Sequence, residues 1–264
     1  MTIYFLVLTM IFGLLAGSFL NVCIYRIPRG ESIVWPSSHC TSCGSNLKPI
    51  DLVPVFSFLF LKGRCRYCKE KISIRYPLIE LLTSGIFISL FLKFGISLEF
   101  IVSIFFMAIL IAVFFIDMDN QIIPNELVIA GLIIGVLLVA TEIIFKINAF
   151  GNIHWWDHLL GIIPGTVFLL LVALLGMLLY KTEDVMGMGD VKIFAPIGLI
   201  LGWKLCIVAL FISIFLGGIT SVILILLKIK DRKDLIPFGP FIVAGTFITF
   251  LFGSIILEWY LRFL

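Results

Sequence analysis

Long uncharged apolar runs alternate with short polar interruptions along the whole chain. Residues 3–20 carry no charge, and further apolar runs follow at about 81–92, 100–116, 124–144, 159–180, 193–203, 205–227 and 237–257. Runs of this kind cross a bilayer as helices of roughly 20 residues. The run at 193–203 is thin for a full crossing and predicts a tilted or kinked segment. Pro124 suits the first turn of a helix, and Trp155 and Trp156 in the 146–157 loop read as interfacial anchors. The period-two alternation of a β-barrel is absent. The pattern predicts an all-α polytopic membrane protein of about eight transmembrane helices. The first run reads as an uncleaved span, because nothing basic precedes it and Asn21-Val22-Cys23 follows it in place of a small-residue cleavage site.

Composition agrees. The chain of 264 residues is 61% hydrophobic and only 13% charged, with 26 Phe, far from soluble globular usage. No internal repeat is visible. Charge then orients the spans. Nine of the nineteen Lys and Arg residues fall between Arg26 and Arg75, against three acids, Glu31, Asp51 and Glu70. Basic loops stay cytoplasmic, so the N-terminus is expected outside and the insert after the first span inside. This divides the chain into a first transmembrane helix (1–24), a cytoplasmic insert (25–76) and a membrane domain (77–264). Counting onward through eight spans, the end of the third helix at Asp117, the loop before Asp190 and the basic 228–234 loop fall on the same side as the insert.

The insert carries Cys40-Thr-Ser-Cys43 and Cys65-Arg-Tyr-Cys68. Each Cys-x-x-Cys unit makes a tight turn that aims two thiolates at one ion, so the four cysteines are expected to hold a structural zinc. A fold this small has little core, which makes a metal staple useful. Two disulfides are the alternative, disfavoured on a cytoplasmic face. Cys23 and Cys206 lie in or beside apolar runs and read as packed thiols.

Asp117 ends the third run, and Gly187-Met188-Gly189-Asp190 interrupts the apolar stretch between 180 and 193. Acids at membrane depth are costly and usually functional. Two spans separate them, so both reach the same face. Two carboxylates brought together share a proton; one can then take a proton from water while the other polarises a carbonyl. The competing explanations are a helix cap for Asp190 and a solvated helix end for Asp117. Asp119, Glu183 and Asp184 read as solvated interfacial acids. His39, His154 and His158 show no ligand or triad spacing.

These motifs together resemble the type IV prepilin peptidases, GxGD-type aspartyl proteases of the membrane, over nearly the whole chain. The resemblance rests on Gly17-Ser18-Phe19-Leu20-Asn21-Val22 with Tyr25-Arg26-Ile27-Pro28, on the two cysteine pairs, and on Arg75-Tyr76-Pro77-Leu78-Ile79-Glu80. It extends through Ile116-Asp117 with Ile123-Pro124-Asn125, Gly187-Met188-Gly189-Asp190-Val191-Lys192, and Ile236-Pro237-Phe238-Gly239-Pro240-Phe241. Met188 stands where the family often has Phe.

The resemblance implies removal of the short basic leader of prepilins and type II secretion pseudopilins, with Asp117 and Asp190 as the catalytic pair. In many members it also implies methylation of the new N-terminal amine from S-adenosylmethionine, an activity associated with the four-cysteine domain. The implied setting is the bacterial cytoplasmic membrane, with both sites on the cytoplasmic side. The implied partners are prepilin or pseudopilin substrates and the lipid bilayer, with no nucleic acid. No glycine-rich donor loop marks a site for the methyl donor. Three other readings compete: a peptidase without methyltransferase activity, a thiol-redox protein using the cysteines, and a transporter relaying cations through the two acids. The redox reading needs cysteines on the oxidising side, and the transporter reading needs inverted repeats and mid-bilayer acids.

Overall fold

A computed structural model describes residues 2–180, 187–231 and 234–263; Glu183 and Asp184 lie outside them. Seven helices among these residues are long and apolar enough to cross a membrane. They are α1 (Thr2–Arg26), α3 (Arg75–Phe94), α4 (Leu98–Asn120), α5 (Asn125–Phe145), α6 (Trp156–Tyr180), α7 (Met188–Leu226) and α8 (Gly239–Leu261), and α2 is a single turn at Phe56–Phe60. Among the described residues only two isolated bridges, His39 to Asn46 and Arg64 to Lys71, have strand-like pairing. The chain divides into two compact units, Met1–Phe100 and Ile101–Leu264.

In the first unit α3, expected from the sequence to group with the later helices, packs along α1. Small residues let the two backbones approach. A Cβ on Gly13 would stand 2.6 Å from the Cα of Ser84, and one on Gly17 would stand 2.6 Å from the Cα of Glu80. Polar side chains lock the crossing: Ser84 Oγ donates to the Met10 carbonyl at 3.0 Å, and Asn21 Nδ2 donates to the carbonyls of Gly17 at 3.1 Å and Tyr76 at 3.2 Å. The insert between these helices is tied to α3 by the Val55 amide, which donates to Glu80 Oε2 at 2.7 Å.

In the second unit α6 and α7 meet at Gly161 and Gly198, where a Cβ on either would come within about 2 Å of the other's carbonyl oxygen and forbid the crossing. α7 runs for 39 residues but breaks at Gly202, whose φ of 78° and ψ of 167° are not helical. The two apolar runs expected at 193–203 and 205–227 are therefore the two rods of one element, which reconciles eight runs with seven helices.

A buried polar cluster secures that break. The Asn152 side chain packs against Gly202, and its Nδ2 donates to the Leu201 carbonyl at 3.1 Å. His158 is fully buried, with Nδ1 3.0 Å from the Leu199 carbonyl and Nε2 3.0 Å from Glu142 Oε1. Both ring nitrogens thus face oxygen acceptors. A carbonyl cannot donate, so Nδ1 carries a proton, while Nε2 also lies 3.4 Å from Asn152 Nδ2. Glu142 also accepts from the Ala149 amide at 2.7 Å. Sequence spacing gave His158 no role; its partner is 16 residues away and becomes visible only when α5 and α6 pack.

Candidate functional site

Asp117 is in the last turn of α4 and only 5% exposed. Helical geometry turns Asp119 about 200° away from it, and Asp119 is exposed. The Gly239 amide, at the start of α8, donates to Asp117 Oδ2 at 2.9 Å. A helix N-terminus offers such unpaired amides and a positive partial charge to a carboxylate. Only glycine fits there, because a Cβ at 239 would stand 2.6 Å from that oxygen.

Asp190 is in the first turn of α7 and 9% exposed. Its amide donates to the Gly187 carbonyl at 3.0 Å. Gly189 lets this turn press onto the loop after α4, where a Cβ would meet that of Ile123 at 2.8 Å. Lys192 Nζ, one turn along, donates to Asn125 Oδ1 at the start of α5 across 3.1 Å. The end of α4 and the beginnings of α5, α7 and α8 therefore converge, and Asp117 and Asp190 act on one another electrostatically there. Two carboxylates brought within range of one another can share a proton. The Gly239 amide and the Lys192–Asn125 tie went unread in the sequence, although both sit inside motifs that the sequence singled out.

The four insert cysteines also meet. Their sulfurs all lie within 4.8 Å of one another, and Cys40 and Cys68 Sγ are 3.9 Å apart. Tetrahedral metal–thiolate bonds of 2.3 Å place sulfurs about 3.8 Å apart, so the cluster fits one metal ion. The two turns that present the sulfurs are built alike. The Gly44 amide donates to the Cys40 carbonyl at 2.8 Å, and the Lys69 amide to the Cys65 carbonyl at 3.1 Å. Gly44 at φ 69° and Lys69 at φ 62° both take the left-handed conformation, natural for glycine and strained for lysine. Asp51 braces the second turn by accepting from Arg66 Nε at 2.6 Å.

All six cysteines are free thiols. The Ser45 hydroxyl beside Cys43 pulls its thiol down to about 6. At Cys68 the Glu70 amide favours the thiolate, but desolvation and the three neighbouring sulfurs outweigh it and push the thiol up to about 12. As ligands, four sulfurs this close would be thiolates only with a cation among them.

Beside this cluster the first unit encloses a cavity of about 590 Å³, whose walls include Tyr25, Tyr76, Glu31 and Glu80. No sequence signal marked it, because its walls come from both flanking helices and the insert.

Spanning helices define an integral membrane protein, and two buried aspartates meet at the ends of those helices. Sequence comparison gives the family. The profile described as Type IV leader peptidase family matches residues 104–222, and that of the Bacterial Peptidase A24 N-terminal domain matches residues 11–94. A Bacillus subtilis relative is 36% identical, over 96% of this chain and 96% of its own. A Pseudomonas putida relative is 32% identical, over 95% of this chain and 92% of its own. An Aeromonas hydrophila relative is 30% identical, over 96% and 93%. All three bear the name prepilin leader peptidase/N-methyltransferase. No solved structure matches. The chain belongs to the type IV leader peptidase family.

Proposed function

We propose that this chain removes the leader peptide of type IV prepilins and pseudopilins through Asp117 and Asp190, then methylates the new N-terminal amine. The observation that carries the reading is the burial of these two acids at one junction of helix ends, with Asp117 held by the Gly239 amide. One carboxylate takes a proton from water as it attacks the scissile carbonyl, and the protonated partner donates to the carbonyl oxygen. Collapse of the tetrahedral intermediate breaks the C–N bond, and a proton passes to the leaving amine. The basic insert and the resemblance of the whole chain to its relatives support placement in the cytoplasmic membrane with both sites toward the cytoplasm.

Zinc is the ion that best suits four convergent thiolates. Held by Cys40, Cys43, Cys65 and Cys68, it would cross-link the insert and leave no open position for chemistry. For the second activity, S-adenosylmethionine supplies a methyl group when bound. The cavity beside the cluster has the volume usual for small-molecule sites. The Tyr25 ring is already covered by the Arg29 guanidinium at 3.9 Å, but the ring of Tyr76 and the carboxylates of Glu31 and Glu80 suit a cationic sulfonium. These residues would hold and orient the donor, and the attacking amine must be neutral.

The test incubates membranes containing the protein with a prepilin peptide, with and without S-adenosylmethionine, and follows product mass. Loss of the leader in both, with gain of one methyl only when the donor is present, is expected. A cleaved product that never gains a methyl, from protein with its metal intact, reduces the chain to a peptidase. An uncleaved peptide overturns the reading.

A further inference from the structure

α2 is amphipathic within a single turn. Phe56, Leu59 and Phe60 are 55%, 63% and 84% exposed, whereas Ser57, Phe58 and Leu61 line the cavity. Positions i, i+3 and i+4 share one helix face, so these exposed residues form an apolar patch, with the exposed Val53 shortly before it. A water-facing surface rarely carries such a patch without a partner.

A hydrogen bond ties it to the first turns of a spanning helix. Val55, immediately before α2, is bonded to Glu80 Oε2, and Glu80 lies five residues into α3, about 7.5 Å along the axis at 1.5 Å per residue. α3 has 20 residues, about the 30 Å of the hydrocarbon core, so its first residue, Arg75, marks the near boundary. Helix side chains lean toward the N-terminus, so the Glu80 carboxylate, and with it the start of α2, is held between that boundary and about 7.5 Å inside it, near the depth at which apolar faces of interfacial helices lie. Basic residues flank the patch: Lys48, Lys62 and Arg64 are all exposed, which suits anionic headgroups.

We propose that the exposed face of residues 53–60 is seated in the adjacent lipid leaflet, with anionic phospholipid as its partner. The seat fixes the insert against the bilayer at two points, the covalent joints to α1 and α3 being one and the α2 face the other. It stands apart from the catalytic assignments, because its support is the depth of Val55 and the apolar face alone.

The test uses the full chain carrying benzoylphenylalanine in place of Phe60, reconstituted in vesicles of phosphatidylglycerol and phosphatidylcholine. Irradiation and intact-mass spectrometry should show phospholipid adducts at position 60, several-fold above those at position 42 in the cysteine turn. Lys62→Glu with Arg64→Glu should lower the phosphatidylglycerol adduct and leave that formed in pure phosphatidylcholine unchanged. The same probe at Phe56 provides a second reading if position 60 disturbs accumulation. Adducts no more frequent than at position 42 overturn the proposal. So do cross-links to a second copy of the chain, or to an added prepilin peptide, in place of lipid.

Discussion

The Gly239 amide donates to Asp117 Oδ2 at 2.9 Å across 122 positions of sequence. This bond fixes an acid at the end of α4 to the start of α8, so the last spanning helix is part of the site although it carries neither aspartate. Gly239→Ala would force a methyl group to within 2.6 Å of that oxygen. Displacing a reacting group by an ångström costs about 100-fold in rate. Leader cleavage should fall by about that factor in turnover while prepilin binding stays near normal, as separate measurements of KM and kcat would show.

Asp117→Asn and Asp190→Asn should each abolish the acid–base pair and lower cleavage by about 100-fold to 10,000-fold. Both variants should accumulate in the membrane, since an amide fills the same space. Asp119→Asn, on the exposed side of α4, should retain most activity. Full cleavage by either of the first two, read by product mass, removes that residue from the mechanism.

Metal analysis of purified protein should find about one zinc per chain if the four sulfurs form one closed site. Cys40→Ser with Cys43→Ser should lose the ion, and chelation of the wild type should loosen the insert to proteolysis. The aspartate pair lies in the other compact unit, so cleavage should survive better than methylation in the same samples. Retention of metal by the double variant would contradict the four-sulfur assignment.

His158→Ala should act on stability. It leaves Glu142 buried with its imidazole partner gone, a loss of the kind that costs about 3–5 kcal/mol. The thermal midpoint in detergent should drop clearly, with cleavage per folded molecule little changed. A drop in specific activity without a drop in midpoint would point to a catalytic part for this cluster.

Much of the architecture was legible because the bilayer imposes helices on any long uncharged run. The thin run at 193–203 even announced the break at Gly202. The paired cysteines announced their convergence, since each turn is local and needs only its partner turn. The aspartates could be placed on one face by counting spans. What stayed hidden was every contact made by packing: the Gly239 amide on Asp117, the Glu142–His158 pair, the grouping of α3 with α1, and the cavity. Gly239 does lie in a motif that the sequence marked, but a glycine states only that space is short and never what fills it.

The break at Gly202 also bears on the surrounding lipid. From Met188 to the break α7 has only fourteen residues, about 21 Å at 1.5 Å per residue, against about 30 Å of hydrocarbon. A rod this short produces a hydrophobic mismatch, met by thinning the adjacent bilayer or by letting its Asp190 end stop short of the headgroups. Hydrolysis needs water at that end, and thin membranes supply it more readily. Turnover in vesicles should therefore rise as acyl chains shorten and fall as they lengthen, making membrane thickness a control on this site that no residue of the chain encodes by itself.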